Sequence, residues 1–113
     1  MLELDRAPFG ILGLETAVGL SVTRLVATGR IGWPRLVEAM STLPARILGL
    51  NRGTLRPGAV ADITLIDPDR SWQVNVHAFQ SKSVNSPFHG WTLKGRAVAT
   101  IVGGRVKYRL GSE

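Results

Sequence analysis

The feature that most constrains the fold of this chain is a change in its hydrophobic pattern near Asn51. Before this residue, apolar side chains recur every three or four positions, which is the period of a helix face. After it, short β-branched or alternating runs are separated by glycine and proline, as in strands joined by turns. Helices and strands in this order leave sheet edges unpaired. We therefore expect either dimerisation or, as the favoured interpretation, a portion of a larger protein.

Two helices are predicted ahead of residue 41. The apolar face of the first consists of Leu14, Ala17, Val18, Val22, Leu25 and Val26. Gly29 is expected to end this helix, and Gly19 at its centre to permit close packing. The second is predicted to begin near Trp33-Pro34, because proline is tolerated in the first turn of a helix. Its apolar side carries Leu36, Val37 and Met40.

A short third helix is predicted to follow. Ser41 or Thr42 is expected to cap it, and Pro44 lies near its first position. Its apolar pair, Ile47-Leu48, is expected to be buried.

The second half of the chain predicts four or so short strands. Residues 61–66 form an apolar, β-branched run, residues 67–69 (Asp-Pro-Asp) are typical of a turn, and residues 72–76 alternate as a half-buried strand does. Residues 80–89 are polar and predict a loop. Residues 97–110 are the clearest pattern, because two strand-like runs flank a Gly-Gly pair, which is typical of a hairpin.

Composition excludes several classes of protein. Of the 113 residues, 44% are hydrophobic and 19% charged, which argues against disorder. Cysteine is absent, which excludes disulfides and thiolate ligands and fits a cytoplasmic location. The net charge of +6 comes from scattered basic residues, so no nucleic-acid partner is expected. Charged residues interrupt the apolar stretch 11–31, so no membrane span is expected either, and residues 1–6 do not resemble a signal peptide.

The residues that could carry chemistry are few. His77 and His89 are twelve positions apart with no companion cysteine, whereas zinc needs three or four converging ligands, so both are expected to be surface or loop residues. Asp67 and Asp69 flank a proline and are expected to bind their own backbone. Asp62 is expected to cap a strand or to pair with an arginine. No catalytic residue and no metal ligand is predicted.

Four segments in register resemble the C-terminal region of bacterial dihydroorotases, within the cyclic amidohydrolase superfamily. Residues 7–16 (APFGILGLET) are similar to the substrate loop of that family, and residues 41–50 (STLPARILGL) to its last barrel helix. Residues 53–62 (GTLRPGAVAD) resemble the return into its small β domain. The tail, residues 81–95, with SKS, NSPF and GWTLKG, is closer to dihydroorotases than to other branches.

This resemblance implies an α/β fold. Residues 1–50 would supply the closing helices of a (β/α)8 barrel together with its substrate loop, and residues 51–113 the C-terminal strands of a small composite β-sandwich domain. The implied reaction interconverts dihydroorotate and N-carbamoyl-aspartate in pyrimidine synthesis, with one or two zinc ions activating water. The family's metal ligands and its catalytic aspartate match no position here. The isolated chain is therefore expected to be inactive and to bind no zinc.

One segment is a candidate substrate contact. In the family, the backbone at a Phe-Gly step reaches the substrate, which implies this role for Phe9 and Gly10 and, more weakly, for Ala7 and Pro8. Glycine lets a backbone amide approach a small anion closely. The alternative is a proline-containing loop with Phe9 packed beneath the helix that follows. Glu15 is expected to be a first-turn helix residue.

Other functions stay open at this point. The chain could come from an allantoinase or a hydantoinase, which share the superfamily segments. It could also be a non-catalytic structural subunit, like the inactive dihydroorotase homologues that support aspartate transcarbamoylase. A homo-oligomer and aspartate transcarbamoylase are accordingly both candidate partners.

Overall fold

A computed structural model describes residues 3–111 of the chain. The expected halves, 1–50 and 51–113, also include residues 1–2 and 112–113, which lie outside the described residues. Within residues 3–111, helical segments come first and strands follow. The α-helices are α1 (Ala17–Ser21), α2 (Trp33–Val37) and α3 (Leu43–Ile47). The strands are β1 (Ile63–Gln73), β2 (Thr92–Val102) and β3 (Arg105–Arg109). Short 3-10 turns cover Leu4–Arg6 and Val76–Ala78.

Each α-helical segment before residue 43 runs directly into a wider, π-helical turn. Val22–Val26 continues α1, so that residues 17–26 form one helix, as predicted. Glu38–Thr42 joins α2 to α3, so that residues 33–47 are also continuous. The predicted boundary at residues 41–42 is therefore wrong.

The physical reason for this second π-helical turn lies at Pro44. Proline cannot donate a backbone hydrogen bond, and its ring crowds the carbonyl four residues earlier. The Leu43 N–H bonds to the carbonyl of Glu38, five residues back, so the helix is widened just before the proline. Thr42 accordingly has helical dihedral angles and makes no capping bond.

The helices bury few side chains. Leu36 of α2 and Ala45 of α3 are buried. Leu14, however, is 95% exposed, and Ile47 and Leu48 are 74% and 70% exposed. The predicted burial of Ile47 and Leu48 is therefore wrong for this chain, because no described element covers that side of the helices.

The strands form one antiparallel sheet in the order β1-β2-β3. Strands β2 and β3 make the predicted hairpin, with Val102 opposite Arg105. Gly103 and Gly104 both have positive φ, 57° and 78°, as the tight two-residue turn requires.

The predicted turn at residues 67–69 is wrong. These residues lie inside β1, which runs without interruption from Ile63 to Gln73. The register between β1 and β2 shifts between Asp67 and Ser71, so the segment is an irregularity in the ladder. Pro68, which cannot donate to the ladder, is accommodated at this point.

The segment that follows β1 differs in part from its prediction. The strand ends at Gln73, and Val76 begins a 3-10 turn instead of extending the strand. Val74 and Val76 are nevertheless buried, so the alternation predicted their burial correctly. The predicted loop at residues 80–89 is confirmed.

The core lies where α1 packs on β2. A Cβ atom on Gly19 would lie 2.9 Å from Cζ2 of Trp72, which confirms that this glycine permits close packing. Leu93 is 1% exposed, and Val22 packs against Gly95. Helix and sheet therefore meet through glycines, one from each element.

The molecule is more open than an independent domain of its size. Its radius of gyration is 16.0 Å, compared with about 13 Å for a compact chain of this length. Its accessible surface is 8721 Å², compared with about 6,100 Å² for a folded monomer of this mass. Many large apolar side chains are exposed, which is consistent with helices and strands that pack against something further.

Candidate functional site

The candidate substrate loop, residues 7–10, projects from the molecule. Phe9 is fully exposed, so the alternative in which it packs beneath the helix is wrong. Ala7 is partly buried and Pro8 is exposed. Gly10 has a φ of +77°, a left-handed conformation that glycine adopts without strain. Within residues 3–111 the N–H groups of Phe9 and Gly10 form no hydrogen bond, so they are available to a ligand.

Asn85 holds the far end of this loop by two hydrogen bonds. Its side-chain Nδ2 donates to the carbonyl of Gly10 at 2.6 Å. Its own carbonyl accepts from the N–H of Leu12 at 2.9 Å. The two bonds bracket Ile11, so the chain on both sides of that residue is tied to the tail.

Glu15 makes a second connection between the same two parts of the chain. Its carboxylate oxygens accept from the backbone N–H groups of Gln80 and Ser81, both at 3.1 Å. Glu15 lies in the turn just before α1, so the expected place is nearly right. Its role is different from the predicted one, because it organises a distant loop. Sequence reasoning missed this role, since the bonds span 65 and 66 residues.

The loop at residues 80–89 also contains hydrogen bonds of its own. The Ser83 hydroxyl accepts from the Asn85 N–H at 3.3 Å, and the Ser86 hydroxyl accepts from the Phe88 N–H at 3.2 Å. These are the local turns that serine commonly forms. On the other side, Thr16 is 1% exposed and its hydroxyl donates to the carbonyl of Gly13 at 3.4 Å. Each side of the contact thus has local hydrogen bonds of its own.

A groove of about 910 Å³ runs between the segment after the substrate loop and the sheet. Trp72 lies in its wall, with its Nε1 donating to the carbonyl of Gly95 at 2.9 Å and the Arg96 guanidinium 4.7 Å above its ring. Trp91 has Phe88 edge-on at 5.1 Å and Arg24 at 5.2 Å. Both tryptophans therefore pack against neighbouring side chains.

The two histidines come together in space. Their rings lie 5.6 Å apart, edge to face, and His89 Nδ1 accepts from the Val76 N–H at 3.2 Å. Both are exposed, as predicted. No group of three histidine, cysteine or acidic residues in the described part of the chain could hold a metal. A zinc site needs at least three such ligands, so the residues present do not fit one.

The aspartates have structural partners. Asp62 accepts from the Gly103 N–H at 2.8 Å and lies 3.5 Å from Nη1 of Arg52, so both of its predicted roles, cap and arginine partner, are observed. Asp67 accepts from the N–H of Asp69 at 3.1 Å, as predicted for a residue beside proline. Asp69 also lies 3.4 Å from the Lys94 ammonium.

Among residues 3–111, no helix is both long and apolar enough to cross a bilayer.

Comparison with known proteins places these features in a family. The model of the amidohydrolase family matches residues 5–107. A curated relative named dihydroorotase, from Geobacter metallireducens, is 55% identical over 108 residues, which is 96% of this chain and 25% of the relative. Another, from Pelotomaculum thermopropionicum, is 57% identical over 105 residues, or 93% of this chain and 25% of the relative. The chain thus spans about a quarter of the length of the curated relatives it matches.

The fold has close counterparts among solved structures. L-Hydantoinase (dihydropyrimidinase) from Arthrobacter aurescens superimposes with a TM-score of 0.90 at 37% identity, over 97% of this chain and 25% of that one. The sequence match and the structural match both cover nearly the whole chain. The chain belongs to the amidohydrolase family.

Proposed function

We propose that this chain is the C-terminal portion of a dihydroorotase, an enzyme that interconverts dihydroorotate and N-carbamoyl-aspartate. The observation that carries the proposal is the identity of 54–57% to curated dihydroorotases over 93–97% of the chain. The exposed Phe9-Gly10 step with free amides supports it, because such a step can approach a small anion closely.

The architecture proposed for the whole protein is a barrel with a small β domain. Residues 1–50 would close the barrel, and residues 51–113 would belong to the small domain. The exposed apolar side chains Leu14, Ile47 and Leu48 support this assignment, since a barrel wall would cover them. A cytoplasmic location is proposed because the sequence contains no cysteine.

The chemistry proposed for this chain is binding. The Phe9 and Gly10 amides would donate hydrogen bonds to substrate oxygens, and Ala7 and Pro8 would shape the approach. Zinc is implied by the family resemblance, but the described residues do not fit a metal site. No catalytic step is therefore assigned to this chain, and any metal would be held by other residues of the whole enzyme.

A chimaeric enzyme tests the proposal. In the Geobacter metallireducens dihydroorotase, the matched 108-residue segment is replaced by the corresponding residues of this chain. We expect the chimaera to hydrolyse dihydroorotate within about tenfold of the host, because the exchanged segments are 55% identical and a larger loss would require a substrate misplacement approaching about 1 Å. The host without the segment is the control and should be inactive. A chimaera that folds but shows no turnover of dihydroorotate contradicts the proposal.

A hydantoinase portion is the second candidate, favoured by the TM-score of 0.90 to the Arthrobacter aurescens enzyme. The same exchange into that enzyme, assayed with hydantoin, distinguishes the two. Activity on hydantoin in this host, together with inactivity in the dihydroorotase host, would favour the second candidate. A non-catalytic subunit of aspartate transcarbamoylase and a homo-oligomer stay predictions. An upstream reading frame without a His-x-His pair would favour the non-catalytic role.

A further inference from the structure

We propose that Asn85 and Glu15 are positioning residues, which fix the shape of the substrate loop by clasping it to the tail loop, residues 80–85. This inference rests on the proposed function, because the loop matters only if it meets a substrate. We call the two pairs of hydrogen bonds made by Asn85 and Glu15 the clasp.

The contact at Gly10 determines which way the loop faces. Asn85 Nδ2 binds the Gly10 carbonyl at 2.6 Å, a short distance for an N–H···O bond. Holding this carbonyl fixes the peptide plane between Gly10 and Ile11. Glycine has more backbone freedom than any other residue, and Gly10 has nothing within 4 Å of its Cβ position to restrict it. The Asn85 bond therefore supplies an orientation that local sterics do not.

The hydrogen bonds of Glu15 hold the start of the loop that carries Asn85 in place. A carboxylate that accepts two backbone N–H groups makes charge-assisted bonds, which are stronger than neutral ones. Gln80 and Ser81 are held in this way, at the start of the same loop that ends with Asn85. Without Glu15 the loop would keep its serine turns but lose its attachment beside α1.

The clasp leaves the ligand-facing groups free. The Gly10 carbonyl is occupied by Asn85, whereas the Phe9 and Gly10 amides point to no acceptor in residues 3–111. Asn85 contacts the loop from the side of the tail, and Glu15 binds the tail from the segment that follows the loop, so both act through the position of Gly10. A positioning role predicts that substrate binding and turnover change while the fold is retained.

The first test replaces Asn85 in the chimaeric enzyme. Asn85→Asp keeps the shape of the side chain but removes the N–H donor and places a negative charge against the Gly10 carbonyl. We expect kcat/KM for dihydroorotate to fall about 10–100-fold, since misplacement by about 1 Å has effects of this size. Amide hydrogen exchange at Leu12, whose N–H binds the Asn85 carbonyl, should become faster.

Gln73→Glu is the matched control. It also converts an amide that donates to a backbone carbonyl, here from Nε2 to Gly90 at 3.2 Å, into a carboxylate on an exposed side chain. We expect its thermal midpoint to shift as much as that of Asn85→Asp, with kcat/KM and hydrogen exchange at Leu12 unchanged. Equal kinetics and equal exchange in the two variants would overturn the proposal.

The second test varies the number of hydrogen-bond acceptors at position 15. Glu15→Gln keeps one acceptor oxygen and Glu15→Ala keeps none, so kcat/KM should fall in that order. Because Glu15 and Asn85 hold one loop, the double variant Glu15→Ala/Asn85→Ala should lose less than the product of the single losses. Fully multiplicative losses would show that the two residues act independently, which contradicts a clasp.

The two proposals fail in different ways. An inactive parent chimaera would refute the dihydroorotase assignment, whereas hydrogen exchange in the folded chimaera would still decide the clasp. Slow exchange at Leu12 that Asn85→Asp leaves unchanged would refute the clasp alone.

Discussion

Gly95 occupies the tightest position between helix and sheet. Its φ is +91°, and a Cβ atom there would lie 2.7–2.9 Å from three atoms of Val22. Val22 is β-branched and lies in a helix, so its side chain has one strongly preferred rotamer and cannot move aside. The position therefore requires glycine on both conformational and steric grounds.

An alanine at position 95 tests the contact between Gly95 and Val22. Gly95→Ala in the chimaeric enzyme should destabilise the fold by about 2–5 kcal/mol, adding about 1–3 from overpacking to about 1–2 from the left-handed backbone. Gly29→Ala is the control, since Gly29 also has positive φ, 71°, but nothing within 4 Å. Gly29→Ala should lower the stability only by the cost of the left-handed backbone, about 1–2 kcal/mol. Thermal denaturation compares them, and equal midpoints would show that Val22 yields.

Single residues differ in how well the sequence predicts them. Gly19 and Asp62 agree with their predictions, because residue type alone indicates close packing for a helix glycine and capping or ion pairing for an aspartate beside a strand. The partners of Glu15 and Asn85 could not be predicted, since these bonds join positions 65–75 apart and no local pattern encodes that distance. Phe9 and Gly10 were chosen by resemblance, and their role in substrate binding stays a prediction.

At the scale of elements, one side chain joins the first helix to the middle strand. The Thr23 hydroxyl donates to the Lys94 carbonyl at 3.1 Å and accepts from the Lys94 N–H at 2.8 Å. Thr23 lies in the π-helical continuation of α1 and Lys94 in β2. The Thr23 hydroxyl thus occupies both backbone groups of Lys94, as a neighbouring strand would, and joins the helix to β2.

Thr23→Val tests this connection in the chimaeric enzyme. Valine has the same shape, so the change should remove two hydrogen bonds and destabilise the fold by about 1–2 kcal/mol. Thr28→Val is the matched control, because the Thr28 hydroxyl bonds only to carbonyls of its own helical segment, Arg24 and Leu25. We expect the thermal midpoint of Thr28→Val to be higher than that of Thr23→Val. The reverse order would contradict the role of Thr23 in joining the helix to β2.

Element types were easier to predict than element ends. The hairpin at Gly103-Gly104 was correct because its turn geometry demands glycine at both positions. Asp-Pro-Asp at residues 67–69 predicts a turn, whereas pairing with β2 on either side keeps this segment in the strand as an irregularity of the ladder. The continuous helix through Thr42 was missed because a π-helical turn has no residue signature of its own.

The whole molecule exposes apolar surface on several sides. Leu14, Ile47, Leu48 and Leu55 are each at least 70% exposed. Exposed apolar patches of this kind mark surfaces that other protein covers. Sequence order alone predicted this incompleteness, whereas which side chains lack cover became visible only in three dimensions.

Expressed alone, the 113-residue chain should therefore associate with itself or with a hydrophobic dye. We expect bright binding of anilinonaphthalene sulfonate and elution larger than a monomer in size-exclusion chromatography, with no hydrolysis of dihydroorotate and no bound zinc by elemental analysis. The chimaeric enzyme is the control and should bind little dye, because the same surface is covered. A monomeric isolated chain without dye binding, or with metal-dependent turnover, would contradict this expectation.

The hydrogen bond from Asn85 to Gly10 also orders events in time. The two residues are 75 positions apart, so at about 5–20 residues per second a ribosome needs roughly 4 to 15 s to make the second after the first. During that interval the loop has been synthesised but nothing holds its orientation. The loop around Gly10 can thus take this orientation only after residue 85 has been synthesised, so its shape depends on a much later part of the chain.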